Sequence, residues 1–443
     1  MYTILAFYTF HTAYTTVYDS EHYHTPGLPK PLLRSEDPRT DDGLKYILVW
    51  STPEFKNRLF EEGQGLFVKN NCSYMNCYLS DEMHLLESYK KDFDVVLIDI
   101  GVLRQSLWNS EVMPQKRTAR QKYLFHSMRS SDETPVCNVK ADGFFNWTWS
   151  YKIYSDISTP FIEVIDTSGH VVAPRRDVRW IENMNPISKN DKKKLLTKKK
   201  AVAWIPESCK TRSNRMEFAK NLQEALKEHN LELDIYGCSM KLCPKEGCMK
   251  ALDRDYYFYL AYEPSHAEDY VTDEVLKAYH HNTVPIVKGG ADYRYFLPEG
   301  SYINAGSGSV EKLASLIDFS IRNPSVYYSF HQWKYYYRIR KVNHNRGVCD
   351  LCAMLNNREN VLTHSNYEKF RKWWYGDLKE RCYPVGAKEE KFVVSYFNDS
   401  RKNAIQKLPR QKDRALYWCC CILVGEYGFK ASRVEDWVQA GKV

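Results

Sequence analysis

Short apolar runs alternate along this chain with longer stretches in which apolar residues recur every three or four positions. Tyr46–Trp50, Phe93–Ile100, Ala201–Ile205, Leu233–Tyr236, Tyr257–Tyr262 and Val284–Val287 are nearly uninterrupted apolar segments, the pattern of strands covered on both faces of a parallel sheet. Met216–His229 and Val310–Ile321 carry the helical period, and Gly237 and Gly289-Gly290 mark turns. Strands alternating with helices predict an α/β protein built on parallel sheets. The densest stretch is Tyr256–Asn304, which reads as strand, acidic loop, helix, strand, turn, strand. Its first strand must leave the sheet at Glu263-Pro264-Ser265. Thr272 can then cap a helix whose first turn holds Asp273 and Glu274, whose apolar side is Val275, Leu276 and Tyr279, and which stops near Asn282. A loop and helix start at the carboxyl end of a parallel strand form a crevice for a nucleotide, because free backbone N–H groups there face its phosphates.

At 443 residues the chain exceeds one ordinary core, and two domains of roughly 150 to 200 residues are expected. The sequence divides into a weakly apolar N-terminal segment and stem at 1–43, a first α/β domain at 44–182, a basic hinge at 183–200, a second α/β domain at 201–374 and an extension at 375–443. The net charge of +8 is modest for this length, and six lysines fall within Lys192–Lys200 alone. A local basic segment without an interleaved aromatic motif argues against a nucleic-acid partner. Thirteen cysteines without a paired C-x-x-C array suit disulfides better than zinc, and Cys238, Cys243 and Cys248 fall under the same reading. Asn71, Asn146 and Asn398 stand in Asn-x-Ser/Thr sequences. Met1–Tyr18 is uncharged, yet its Thr, His and Tyr content makes it a poor membrane span.

Three ordered motifs resemble glycosyltransferase family 10, the α1,3-fucosyltransferases: aromatic-Leu-Ala-aromatic-Glu at Tyr259–Glu263, Asp-Tyr-Val-Thr at Asp269–Thr272, and Val-Pro-Ile-Val-x-Gly-Gly at Val284–Gly290. Phe144–Asp156, beginning FFNWTWSYK, resembles the family's FNWTxSYRxDSD segment, with Lys152 in place of Arg and Tyr154 in place of Asp. Glu207–Arg215, ESCKTRSNR, resembles its nucleotide-sugar loop; CDLCAML from Cys349 and FRKWW from Phe370 resemble the end of the family domain, especially in arthropod members. The likeness runs from about Leu44 to Trp374. It departs at Pro264, Asp273 and Glu274, where the family has Asn, Glu and Lys.

The resemblance implies a GT-B architecture, two Rossmann-like α/β domains facing across a cleft, the first for acceptor and the second for GDP-fucose. It implies inverting transfer of L-fucose to a GlcNAc hydroxyl of an N-glycan, with Arg215, Glu263, Ser265, Tyr270, Thr272 and Asp273 on the donor and Trp147 and Trp149 toward the acceptor. For the two tryptophans, period-two core packing is the alternative. The general base falls on Glu133 if Glu133-Thr134-Pro135 matches the family's Glu-Ser-Pro motif. An alignment that keeps the spacing from the preceding strand puts Arg129 there instead. No cofactor or metal is required, although a divalent cation can assist. The family context implies a type II Golgi membrane protein with a lumenal catalytic domain. The alternative is a GT-B homologue that binds glycan or nucleotide without efficient turnover.

Overall fold

A computed structural model describes residues 43–50, 61–86, 93–101, 113, 114, 118, 120–136, 138–306, 308–363 and 365–376. The N-terminal segment and stem, Asn398 and nearly all of the 375–443 extension lie outside the described residues.

Two parallel sheets organise the chain. Strands β1 (Lys45–Trp50), β2 (Cys77–Ser80), β3 (Val95–Asp99), β4 (Lys122–Ser127), β5 (Trp147–Ser150) and β6 (Ile157–Ser158) form the first, in the order β2-β1-β3-β4-β5-β6. After an antiparallel pair, β7 (Ile162–Asp166) and β8 (Val171–Ala173), strands β9 (Lys200–Trp204), β10 (Leu233–Ile235), β11 (Tyr256–Tyr262), β12 (Val284–Lys288) and β13 (Ile303–Asn304) form the second, in the order β10-β9-β11-β12-β13. The apolar runs become strands because they are buried along almost their whole length: β1, β3 and β4 entirely, β11 at all positions but Tyr257. The expected helices form at Arg215–Lys227 and Val310–Arg322, burying Leu222 and Leu226 of the first and Ala314 and Ile317 of the second.

The cores do not divide at one point in the sequence. Ile162, Val164 and Ala173 of β7 and β8 pack in the second core, and a late strand, β14 (Tyr337–Lys341), pairs with β7. Within the lysine-rich stretch Lys189–Leu195 is a helix capped by Ser188, and Leu195 joins the second core. The chain then returns. Phe370 and Trp374 of the helix Phe370–Tyr375 are fully buried against Phe125 of β4, with ring centroids 4.8 and 4.9 Å away. Burial of a phenylalanine of this kind contributes about 1.5 to 3 kcal/mol.

Among the described residues four disulfides secure this arrangement. Cys72–Cys349 and Cys77–Cys352 tie the edge of the first sheet to the helix Arg346–Asn356, closing loops of 277 and 275 residues. Chain entropy gives the first such closure about 5 kcal/mol, and the second, whose ends lie 5 and 3 residues from the first, closes only a short further loop and adds less. Cys209–Cys238 and Cys243–Cys248 staple the loops after β9 and β10. Cys238, Cys243 and Cys248, read from sequence as disulfides rather than zinc ligands, are therefore paired, as are the other five described cysteines. No helix of the described residues is long and apolar enough to cross a membrane.

The two described glycosylation sequences differ in availability. Asn71 is exposed, in a left-handed turn (φ 49°). Asn146 donates from Nδ2 to the Ser365 carbonyl and accepts from the Tyr123 amide, both at 2.8 Å. Expressed through an oxidising secretory route, the folded protein should carry glycan at Asn71 and none at Asn146. Peptide mapping after enzymatic deglycosylation checks this, and an occupied Asn146 in folded protein would contradict the bonds assigned to its amide.

Candidate functional site

In the second sheet β9 connects to β10 on one side and β11 to β12 on the other, so the strand order reverses between β9 and β11. Ligands of open α/β sheets seat outside the carboxyl ends of the strands at such a point. Two segments leave there, Ile205–Asn214 and Glu263–Val271, and they are laced together. The Ser213 amide donates to the Pro264 carbonyl (3.1 Å), the Ser213 hydroxyl to the Glu263 carbonyl (2.7 Å) and the Tyr262 hydroxyl to the Ser213 carbonyl (3.1 Å). The loss of an amide N–H at Pro264 thus leaves its carbonyl role intact.

Glu263 anchors the acidic loop from below. Its carboxyl group is buried and receives the Thr272 amide at 3.0 Å and the Thr272 hydroxyl at 2.7 Å, while that hydroxyl accepts from the Glu274 amide. Desolvation pushes this carboxyl up to about 8, against the pull of the Thr272 bonds. The two glycines after β12 make room for it. A Cβ on Gly289 would sit 2.9 Å from Glu263 Cγ, and one on Gly290 only 2.6 Å from the Ala267 amide nitrogen. Glu263 thus positions the loop and is not itself exposed to a ligand.

From above, the same loop is held by the first domain. The Ser265 hydroxyl donates to that of Ser130 (2.5 Å), and Asp132 accepts from the His266 amide (3.2 Å) and pairs with Arg212 (3.4 Å). Buried Lys152 donates to Glu268 (2.7 Å) and to the Trp373 carbonyl (2.6 Å). Asp269, in a left-handed conformation (φ 61°), receives the Ile153 amide (3.1 Å) and Arg176 (2.8 Å). Non-glycine residues adopt that conformation at a cost that local bonds must offset. Lys152 therefore preserves the cation expected from Arg at that position, and Tyr154 is a ring under Arg176 (5.6 Å). Ser130, Asp132, Lys152 and Ile153 follow the carboxyl ends of β4 and β5, so the carboxyl edges of the two sheets oppose each other across a cleft.

Tyr270 lies in that cleft, edge-on to Tyr151 (5.0 Å) and Phe161 (5.4 Å). Burial raises its hydroxyl well above the ordinary range, the Glu263 and Glu133 carboxylates add to this, and Arg129 opposes it. Glu133 is thereby within electrostatic reach of the second domain. Its carboxylate lies 3.3 Å from the Arg129 guanidinium, so both candidates for the base position stand at the same place. Asp273 pairs with Lys341 (2.6 Å). Glu274 turns inward, accepting from the Tyr259 hydroxyl (2.5 Å) and pairing with Lys277 (2.7 Å), so the anion is neutralised one turn along its own helix.

Other expected positions resolve differently. Arg215 opens its helix as the sequence indicates, but its guanidinium is buried, with Nη1 donating to the Tyr262 carbonyl (2.9 Å) and Nη2 to that of Ser208 (3.2 Å). In this state it braces the two loops instead of facing a ligand. Trp147 and Trp149 are 3% and 2% exposed and pack with the first core. Trp149 donates to the Thr159 hydroxyl (2.9 Å) and lies against Gly347. Their placement toward an acceptor is therefore corrected to core packing, because period-two spacing puts both on the face of β5 covered by the helix Arg346–Asn356. Sequence reasoning missed Asp132, Arg212 and the Asp99–His126 pair (2.7 Å) at the carboxyl ends of β3 and β4. Among the described residues no group of three or more His, Cys, Asp or Glu side chains could hold a metal ion.

Two parallel-sheet α/β domains with their carboxyl edges opposed across a cleft define a GT-B glycosyltransferase fold. Comparison with known families finds "Fucosyltransferase, N-terminal" over residues 42–162 and "Glycosyltransferase family 10 (fucosyltransferase) C-term" over 195–373. The chain is 32% identical to alpha-(1,3)-fucosyltransferase C of Drosophila melanogaster over 361 residues, 78% of this chain and 81% of that protein. It is 27% identical to glycoprotein 3-alpha-L-fucosyltransferase A of the same species over 77% of this chain and 62% of that protein. A crystal structure of an alpha1,3-fucosyltransferase with GDP-fucose aligns with a TM-score of 0.41 and 13% identity, over 79% of this chain and 96% of that one. The chain belongs to glycosyltransferase family 10, the fucosyltransferases, an enzyme family.

The raised Glu263 carboxyl has a consequence for stability. Between the unfolded value near 4.5 and the folded value of about 8 the folded state binds the extra proton, so this contribution is full below about pH 4.5 and is lost as pH rises through 8. Chemical denaturation from pH 5 to 8.5 should show stability falling more steeply for the native protein than for Glu263→Gln. Parallel profiles would show that Glu263 is not held protonated.

Proposed function

We propose that this chain transfers L-fucose from GDP-fucose to a GlcNAc hydroxyl of an N-glycan in α1,3 linkage, with inversion at the anomeric carbon. The observation that carries this reading is that the Ser130 hydroxyl accepts both the Glu133 amide (3.0 Å) and the Ser265 hydroxyl (2.5 Å), which sets Glu133, on the loop after β4, beside the acidic loop at the switch-point crevice of the second sheet. GDP-fucose occupies the crevice between Ile205–Asn214 and Glu263–Thr272, the acceptor approaches from the first domain, and Glu133 takes the proton from the attacking hydroxyl. The hydroxyl oxygen bonds to the anomeric carbon as its bond to GDP breaks, and the diphosphate leaves with that electron pair. Backbone N–H groups and side-chain cations stabilise the departing charge, the requirement of any such transfer. A divalent cation can assist without being required.

The four disulfides of the described residues support folding in an oxidising compartment, and with the family membership they favour a lumenal Golgi domain carried by an N-terminal anchor. A second reading, a homologue that binds without efficient turnover, is favoured by one feature. The Glu133 carboxylate is engaged at one oxygen by the Arg129 guanidinium (3.3 Å) instead of standing free toward the crevice.

Incubation with GDP-fucose and an N-glycan acceptor, followed by GDP release and mass analysis of the glycan, separates the two. Fucosylated product is expected. GDP binding without product would favour the second reading. Glu133→Gln should retain donor binding while turnover falls by roughly 10² to 10⁴, and full activity in that variant would remove Glu133 from the base role.

A further inference from the structure

A nucleoside diphosphate needs positive charge beside it, yet nearly every cation around the crevice already has an acidic partner. Arg212 is paired with Asp132, Arg176 with Glu268 and Asp269, Lys277 with Glu274 and Glu207, and Lys341 with Asp273. Arg215 directs both terminal nitrogens to carbonyls. Lys288 is different. It is the last residue of β12, paired in register with Tyr262 at the end of β11, and its carbonyl accepts the Glu263 amide (2.9 Å), so it stands at the carboxyl edge beside the acidic loop. Its side chain crosses the rings of Phe218 (4.9 Å) and Tyr262 (5.8 Å) and its ammonium donates to the Ala305 carbonyl (3.0 Å). Among the described residues no carboxylate pairs with it.

We infer that Lys288 supplies the charge that holds the diphosphate of the sugar-nucleotide donor, an inference that rests on the donor reading above. Phe218 belongs to the first turn of the helix Arg215–Lys227, so the ammonium lies near the start of a helix whose free N–H groups favour an anion. Arg215, at the first position of that helix and 3% exposed, keeps Nε buried with no hydrogen-bond partner. An ammonium has three donors, and the Ala305 carbonyl uses one. Partial burial pushes the Lys288 amine down with no carboxylate to offset it, so an arriving phosphate would supply the missing counter-charge. Lys288 thereby takes over the task that Glu274, turned inward onto Lys277, does not perform.

Calorimetry on the full chain with GDP and with guanosine tests this. Lys288→Met keeps the packing over Phe218 and Tyr262 and should weaken GDP binding roughly tenfold or more, the effect of removing a hydrogen bond to a charged group, while guanosine binding stays as in the native protein. Lys288→Arg should restore most of the GDP affinity, and Lys288→Gln, which keeps a donor for Ala305, should lose it as Met does even if the Met variant folds poorly. Equal GDP affinity in native protein and Lys288→Met or Lys288→Gln would overturn the inference and leave the donor reading standing. A native protein that does not bind GDP would overturn both.

Discussion

The structure depends on the way the loop Glu263–Thr272 is fixed from both sides. Below it, one buried carboxyl group binds the Thr272 amide and hydroxyl. Above it, Ser130, Asp132, Lys152 and Ile153 of the first domain reach the loop directly, and Arg176 adds a further ion pair. Few of these groups face open solvent, so removing one partner would leave an uncompensated buried charge and is costly. The loop is therefore both the rim of the nucleotide crevice and the joint between domains. The return of the helix Phe370–Tyr375 to the first core closes the same joint, since the Trp373 carbonyl accepts from Lys152. Geometry at the crevice and the spacing of the two domains cannot be varied independently.

Charge around the cleft follows from that arrangement. Glu274 stands where a cation is expected from the family pattern, and the helix absorbs the change by pairing it with Lys277 and Tyr259. Arg212 spans to Asp132, and Arg129 to Glu133. The Glu274–Lys277 and Arg212–Asp132 pairs satisfy largely buried groups that would be costly to leave bare. The exposed Arg129–Glu133 pair is the weakest, because solvent screens it, and it holds the carboxylate proposed as base.

Most of the fold was legible in the sequence, because uninterrupted runs such as Val95–Asp99 and Tyr256–Tyr262 have only one way to bury both faces. The helix at Arg215, its place after β9 and the capping by Thr272 were equally readable, since they are local. What escaped depends on residues far apart. Whether Arg215 faces a phosphate or two carbonyls is decided by Ser208 and Tyr262, which the fold alone brings to it. Asp132 and Arg212 are 80 residues apart and carry no shared motif. Trp147 and Trp149 have the spacing of one strand face, and nothing in that spacing tells which face the helix Arg346–Asn356 covers. Cys72–Cys349 and Cys77–Cys352 span most of the chain, so their pairing required the first core to recover the end of the sequence.

The central claim is that the nucleotide seats where the strand order reverses, between β9 and β11. Amide hydrogen exchange with and without GDP addresses it directly. Slowed exchange in Ile205–Arg215 and Glu263–Glu274, with the first-domain strands β1 and β3 unchanged, is the result predicted. Protection confined to first-domain segments such as Ser127–Glu133, with Glu263–Glu274 unaltered, would contradict it.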